Sequence, residues 1–133
     1  MIYAMFSVIV LTVLVGMLAV KVRFASVKSG QLRAGYFKLM QGESVPEAVI
    51  TTTRCFNNQF EIPMLFYVVC SLYISLDIQS SFALAVAWLF AVFRYAHACI
   101  HITYNHVGHR MLTFMGSVLC MSILWIYLVI LSL

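Results

Sequence analysis

Charge is what this chain has least of. Only 9% of its 133 residues are charged, four of them acidic, and there are two prolines in all. A soluble domain carries roughly a quarter charged residues and about half apolar ones, whereas 64% of this chain is hydrophobic. That balance excludes a soluble globular domain and points to an integral membrane protein, one domain over residues 1–133. Internal repeats and low-complexity tracts are lacking. The four cysteines, Cys55, Cys70, Cys99 and Cys120, have no metal-type spacing and fall within apolar segments, where unpaired cysteine behaves as a small hydrophobe. No basic residue precedes the first apolar run and no small-x-small site follows it, so that run is not read as a cleavable signal.

What the chain does have is membrane-length apolar sequence. Residues 2–20 and 111–133 carry no charge, and about 20 apolar residues suffice for a spanning helix. Two further runs, 62–76 and 78–93, are too short alone and reach spanning length only by taking in the polar stretches 54–61 and 94–104. The expectation is therefore an all-α bundle of four transmembrane helices, about 2–24, 46–76, 80–104 and 108–132. Ser44 is expected to cap the second helix, with Pro46 in its first turn and Glu47 completing the box. Pro63 should kink that helix. Gly16 and Gly116 are read as points of close helix approach.

The loops set a topology. Lys21, Arg23, Lys28, Arg33 and Lys38 all follow the first run, so this segment is expected to face the cytoplasm and both termini the opposite side. The excess of positive charge is accounted for in this way and carries no nucleic-acid signature. The connector over 25–46 is long for a helix–helix link and is expected to carry function or lie along the membrane surface.

The polar residues inside the second and third predicted helices form a pattern. Arg54, Asn58 and Glu61 stand at i, i+4 and i+7, on one helical face; Arg94, His97 and His101 stand at i, i+3 and i+7, again on one face. Arg54 and His101, Asn58 and His97, and Glu61 and Arg94 are each symmetric about the turn at Asp77 and Ile78. Two antiparallel helices joined there would bring the three pairs level, with Glu61–Arg94 deepest. Charges at such depth face the bundle interior, pair, and mark function. Together with Arg110 they describe a positively biased pocket for a small hydrophilic anion bearing one cationic group. His97 and His101, at i and i+4, also fit a metal-ligand spacing, which leaves a histidine-ligated metal or haem protein as a rival reading. Against it, the residues facing them are Arg54 and Asn58. His106 and His109 are read as solvated loop residues.

The stretch "RCFNNQFEIP", the run "RYAHACIH" and Arg110 ahead of the last apolar run resemble the MAPEG superfamily, in its bacterial type. The resemblance implies a homotrimer in the bacterial inner membrane, with glutathione as co-substrate held between subunits near the cytoplasmic side. It also implies a transferase or peroxidase acting on lipophilic electrophiles or hydroperoxides that arrive through the bilayer. Carried over, Arg54, Asn58, Glu61, His97 and His101 bind the tripeptide, Arg94 supports Glu61, and Arg110 lies nearest the sulfur as the catalytic residue. Lys21 or Arg23, at the end of the first helix, approaches the ligand carboxylates. The sequence departs from the family pattern at His101, often tyrosine, and at Phe114, where a tyrosine hydroxyl would otherwise stand near the thiol. The second departure supports an alternative: a non-enzymatic member of the fold that binds a lipid or small anion, or serves as a scaffold. Tyr104 is a possible substitute for the missing hydroxyl.

Overall fold

The structure is a computed structural model that describes residues 1–40 and 44–133; Gln41, Gly42 and Glu43 lie outside the described residues. It is helical throughout: α1 (Ile2–Lys28), α2 (Tyr36–Leu39), α3 (Glu47–Asn57), a 3-10 turn (Asn58–Phe60), α4 (Ile62–Ser75), α5 (Ser81–Ile102) and α6 (Val107–Ser132). Among the described residues three helices, α1, α5 and α6, are long and apolar enough to cross a membrane, and the chain is an integral membrane protein.

The segment expected as one helix from 46 to 76 is two. Helix α3 ends at Asn57, the 3-10 turn follows, and Glu61 adopts φ −95°, ψ −101° before α4 begins. Pro63 causes the break. It has no N–H to offer Gln59, and its ring clashes with the carbonyl four residues back. At the second position of a new helix neither fault matters, and there Pro63 is buried. The capping expectation at Ser44 is also corrected. Helix α3 starts at Glu47 with Pro46 as its N-cap and no side-chain cap bond, while Ser44 is exposed outside the helix. Helix α1 runs past residue 24 to Lys28, closing at Ser29 and Gly30. Gly30 takes φ +75°, the left-handed stop that a residue without Cβ adopts freely.

Helix α5 packs chiefly on α6, α1 on α3 and α5, and α4 on α6. The apolar core lies toward the chain termini, where Phe66 and Phe90 stack with centroids 4.0 Å apart and Tyr73 donates to the Leu124 carbonyl at 3.1 Å. A smaller cluster of Leu11, Val15, Cys55 and Ala98 closes the opposite end. Ser80 caps α5 by accepting from the Ala83 amide at 3.2 Å. Between these cores, at the end near the α5–α6 turn, sit the polar residues.

Both glycines meet aromatic rings: Gly16 faces Phe56, and Gly116 faces Phe93. A Cβ at Gly116 would stand 2.7–2.8 Å from three Phe93 ring atoms, closer than any real contact. Gly116→Ala is therefore expected to destabilise the α5–α6 pair by about 1–3 kcal/mol, seen as a lowered melting temperature in detergent. An unchanged melt would show that Phe93 turns aside freely.

Candidate functional site

The site is built around a fully buried cation. Arg94, in the middle of α5, has none of its surface exposed. Its Nη2 donates to the carbonyl of Asn58 at 2.9 Å and to Asn58 Oδ1 at 2.8 Å. Asn58 sits where α3 gives way to the 3-10 turn, and a break in the helical ladder frees carbonyls that water cannot reach at membrane depth. A guanidinium is the strongest donor available for that purpose. Asn58 passes the charge on, its Nδ2 donating to Glu61 Oε2 at 3.1 Å.

The level pairing of Glu61 with Arg94 is thereby corrected. The two are linked through Asn58, and Glu61 is exposed rather than buried against Arg94. The expectation assumed one continuous helix. A 3-10 turn advances about 120° per residue in place of 100°, and the non-helical Glu61 turns the chain further, so Arg94 meets Asn58 three residues early.

His97, one turn along α5 and buried, has Nδ1 3.0 Å from the Arg110 carbonyl. A carbonyl only accepts, so Nδ1 is the protonated nitrogen in that bond, and Nε2 of the neutral ring is an acceptor. Thr113 Oγ1 lies 3.4 Å from the same Nδ1. Arg110 opens α6, held by its own Nη1 donating to Asn105 Oδ1 at 2.8 Å. Asn105 takes φ +49°, a left-handed conformation that asparagine tolerates well, and this turns the chain from α5 into α6. Asn58, His97, Val107, Arg110, Met111 and Phe114 enclose an open pocket of about 250 Å³.

The remaining candidates lie at varying distances from it. His101 is buried next to His97, rings edge to face at 5.8 Å. Arg54 is exposed on α3, near enough to His101 to interact electrostatically. Arg23 stands apart, donating to Thr53 Oγ1 at 3.1 Å and lying over the Phe37 ring at 5.7 Å. Tyr104 is exposed and bonded to His109 Nδ1 at 3.0 Å, outside the pocket. His106, expected as a loop residue, is the N-cap of α6, accepting from the His109 amide at 3.3 Å. His109 is in the first turn of that helix.

Several buried polar atoms in this region have no partner among the described residues: Arg94 Nε and Nη1, Arg110 Nε, His97 Nε2 and His101 Nδ1. They amount to donors and acceptors in wait for a polar ligand or water. Sequence reasoning missed Asn105 and Thr113, which orient Arg110 and His97. The one signal for Asn105 was an asparagine in the turn five residues before a flagged arginine.

The model of the MAPEG family matches residues 1–130. No curated protein and no solved structure matches.

Proposed function

Because the chain belongs to the MAPEG family, we propose that it is a glutathione-dependent membrane enzyme. It would bind glutathione beside Arg110 and either add the thiolate sulfur to lipophilic electrophiles or, with a second glutathione, reduce hydroperoxides to alcohol and water with formation of glutathione disulfide. The observation that carries this reading is the convergence of Asn58, His97 and Arg110 on one pocket, with Arg94 buried behind it and Glu61 tied to Asn58. Glutathione has two carboxylates, which ask for guanidinium groups, and one ammonium, which asks for a carboxylate. Its thiol has an ordinary pKa of about 8.5, and a guanidinium alongside favours the thiolate, the nucleophilic form. A polar pocket opening between membrane helices separates the hydrophilic donor from an acceptor that arrives through lipid.

Two features support an assembly of copies, in keeping with a homotrimer. The pocket's 250 Å³ falls below the roughly 300–1,000 Å³ typical of small-molecule sites, so one protomer supplies only part of the walls. Arg54 and Glu61 are also exposed on a segment at membrane depth, where an uncovered charge costs about 2.5–3.5 kcal/mol on insertion scales. A second copy covering that face would remove the cost and place both residues against ligand; the part of Arg23 depends on the same assembly. In this reading α3, the 3-10 turn and α4 together form a fourth, broken span. The basic end of α1 faces the cytoplasm, as the pocket does.

A second reading is favoured by Phe114. It lines the pocket four residues after Arg110, so no hydroxyl from that position reaches the thiol, and Tyr104 is engaged elsewhere. A binding protein or scaffold of the same fold would need no such group. Turnover with a lipophilic electrophile separates the two readings.

Equilibrium dialysis of glutathione against Arg54→Ala and Glu61→Ala tests the pocket's outline. Each loses a charge-assisted bond, so each is expected to bind about tenfold or more weakly than wild type. Wild-type affinity in both would move the site elsewhere.

A further inference from the structure

The connector after α1 is unused by the glutathione reading, and its placement is unusual. Residues 2–20 carry no charge and, at 1.5 Å per residue, measure about 28 Å, close to the roughly 30 Å thickness of a hydrocarbon core. The core boundary therefore falls near Val20. Helix α1 continues to Lys28, about 12 Å further, beyond the roughly 5–7 Å that headgroups add on one side. The chain does not continue outward from there. The Leu32 amide bonds back to the Ser26 carbonyl at 3.2 Å, the Leu32 side chain is buried, and Phe37 comes to rest 5.7 Å from the Arg23 guanidinium. Arg23 is three residues past Val20, so α2 has returned to headgroup depth.

The groups presented there are of two kinds. Leu39 is 77% exposed and Phe24 73%, large apolar side chains with no protein cover at the level where amphipathic elements sit in a bilayer. Lys21 and Lys38 are exposed as well, and residues 1–40 hold five cations and no aspartate or glutamate. Apolar side chains interleaved with cations at this depth are complementary to acyl boundary and phosphate together.

We propose that the fold-back segment 32–40 is an interfacial platform that recognises the phosphate headgroups of anionic phospholipids. Leu39 and Phe24 seat in the acyl boundary while Lys21 and Lys38 hold the phosphates. Lys38 and Leu39, its outermost groups, have no part in the glutathione reading. The platform explains the length of the connector, which fixes the depth of α1 and hence of Arg23 and its partner Thr53.

The test uses the full chain in nanodiscs of phosphatidylcholine, with and without phosphatidylglycerol. Lipids retained after mild detergent extraction are counted by native mass spectrometry, and backbone hydrogen exchange is followed over 32–40. Wild type should retain phosphatidylglycerol above its bulk share and exchange more slowly at 32–40 when it is present. A surface cation near an anionic leaflet contributes about fivefold, so Lys38→Gln should lose about that much enrichment, and Lys21→Gln/Lys38→Gln about 25-fold. Lys38→Arg should keep it, and Leu39→Ser should speed exchange in either bilayer. The proposal is overturned if wild type retains lipid in bulk proportion, or if enrichment survives both glutamines. It is overturned equally if 32–40 is as protected in lipid-free detergent, which would mean a second copy covers the segment.

Discussion

Arg110→Ala should still bind glutathione, within roughly tenfold of wild type, yet lose the thiolate and about 10²–10³ in turnover. Position is the reason. Arg110 lines the pocket and its guanidinium is anchored on one side only, through Nη1 to Asn105. Nε is buried and has no partner among the described residues, so the group has donors left for a ligand. In the proposed binding mode the tripeptide would be held by several other residues, whereas charge at the sulfur would be met by Arg110, the arginine that lines the pocket. Removing a preorganised donor from a developing or resident anion costs rate far more than affinity. Arg110→Lys keeps the charge but cannot hold Asn105 and sulfur with the same fork, and should fall between the two. The checks are thiolate absorbance of the bound ligand and steady-state rates. A variant with normal thiolate signal would remove Arg110 from the catalytic role and favour the scaffold reading.

Arg94→Ala is expected to cost about 3 kcal/mol or more of stability and to abolish glutathione binding besides. In the proposed binding mode Arg94 acts through Asn58, as a positioning residue. Its Nη2 satisfies both the carbonyl and the side-chain oxygen of Asn58, at a break in the helical ladder. Alanine would leave those acceptors unpaired at membrane depth and a cavity the size of the missing side chain. Asn58 would then lose its orientation and Glu61 its anchor. The measurements are unfolding in detergent by added denaturing surfactant, and dialysis with glutathione. A purely structural role predicts that Asn58→Ala, which leaves Arg94 buried without its side-chain acceptor, is as destabilising. The relay predicts in addition that Asn58→Asp, which keeps an acceptor for Arg94 but repels Glu61, preserves the fold better than it preserves binding.

The residues that converge were legible because polarity inside an apolar chain is conspicuous. Asn58, His97 and Arg110 stood out from sequence for that reason, and the structure sets them around one pocket. Their pairing was not legible. Symmetry about Asp77 placed Glu61 opposite Arg94 on the premise of an unbroken helix. Pro63 was visible, but whether a membrane proline kinks or breaks its helix depends on what neighbours offer the freed carbonyls. Here the neighbour is Arg94, so a break is tolerated and the register moves by three residues. Arg23 shows the same limit from another side: its number says it ends the first helix, but only the fold-back of Phe37 and the position of Thr53 say what it touches. Residues that orient others, Asn105 and Thr113, carry no signature of their own. They are ordinary turn and helix residues until Arg110 and His97 are placed beside them.

The measurement that bears most directly on the proposed activity is titration of the purified wild-type protein in detergent with glutathione, followed by difference absorbance for the thiolate. Saturable binding is expected at or below millimolar concentration, with a thiolate signal that saturates in parallel and disappears in Arg110→Ala. No binding at millimolar glutathione would contradict the proposal, and the pocket of Asn58, His97 and Arg110 would then need another ligand.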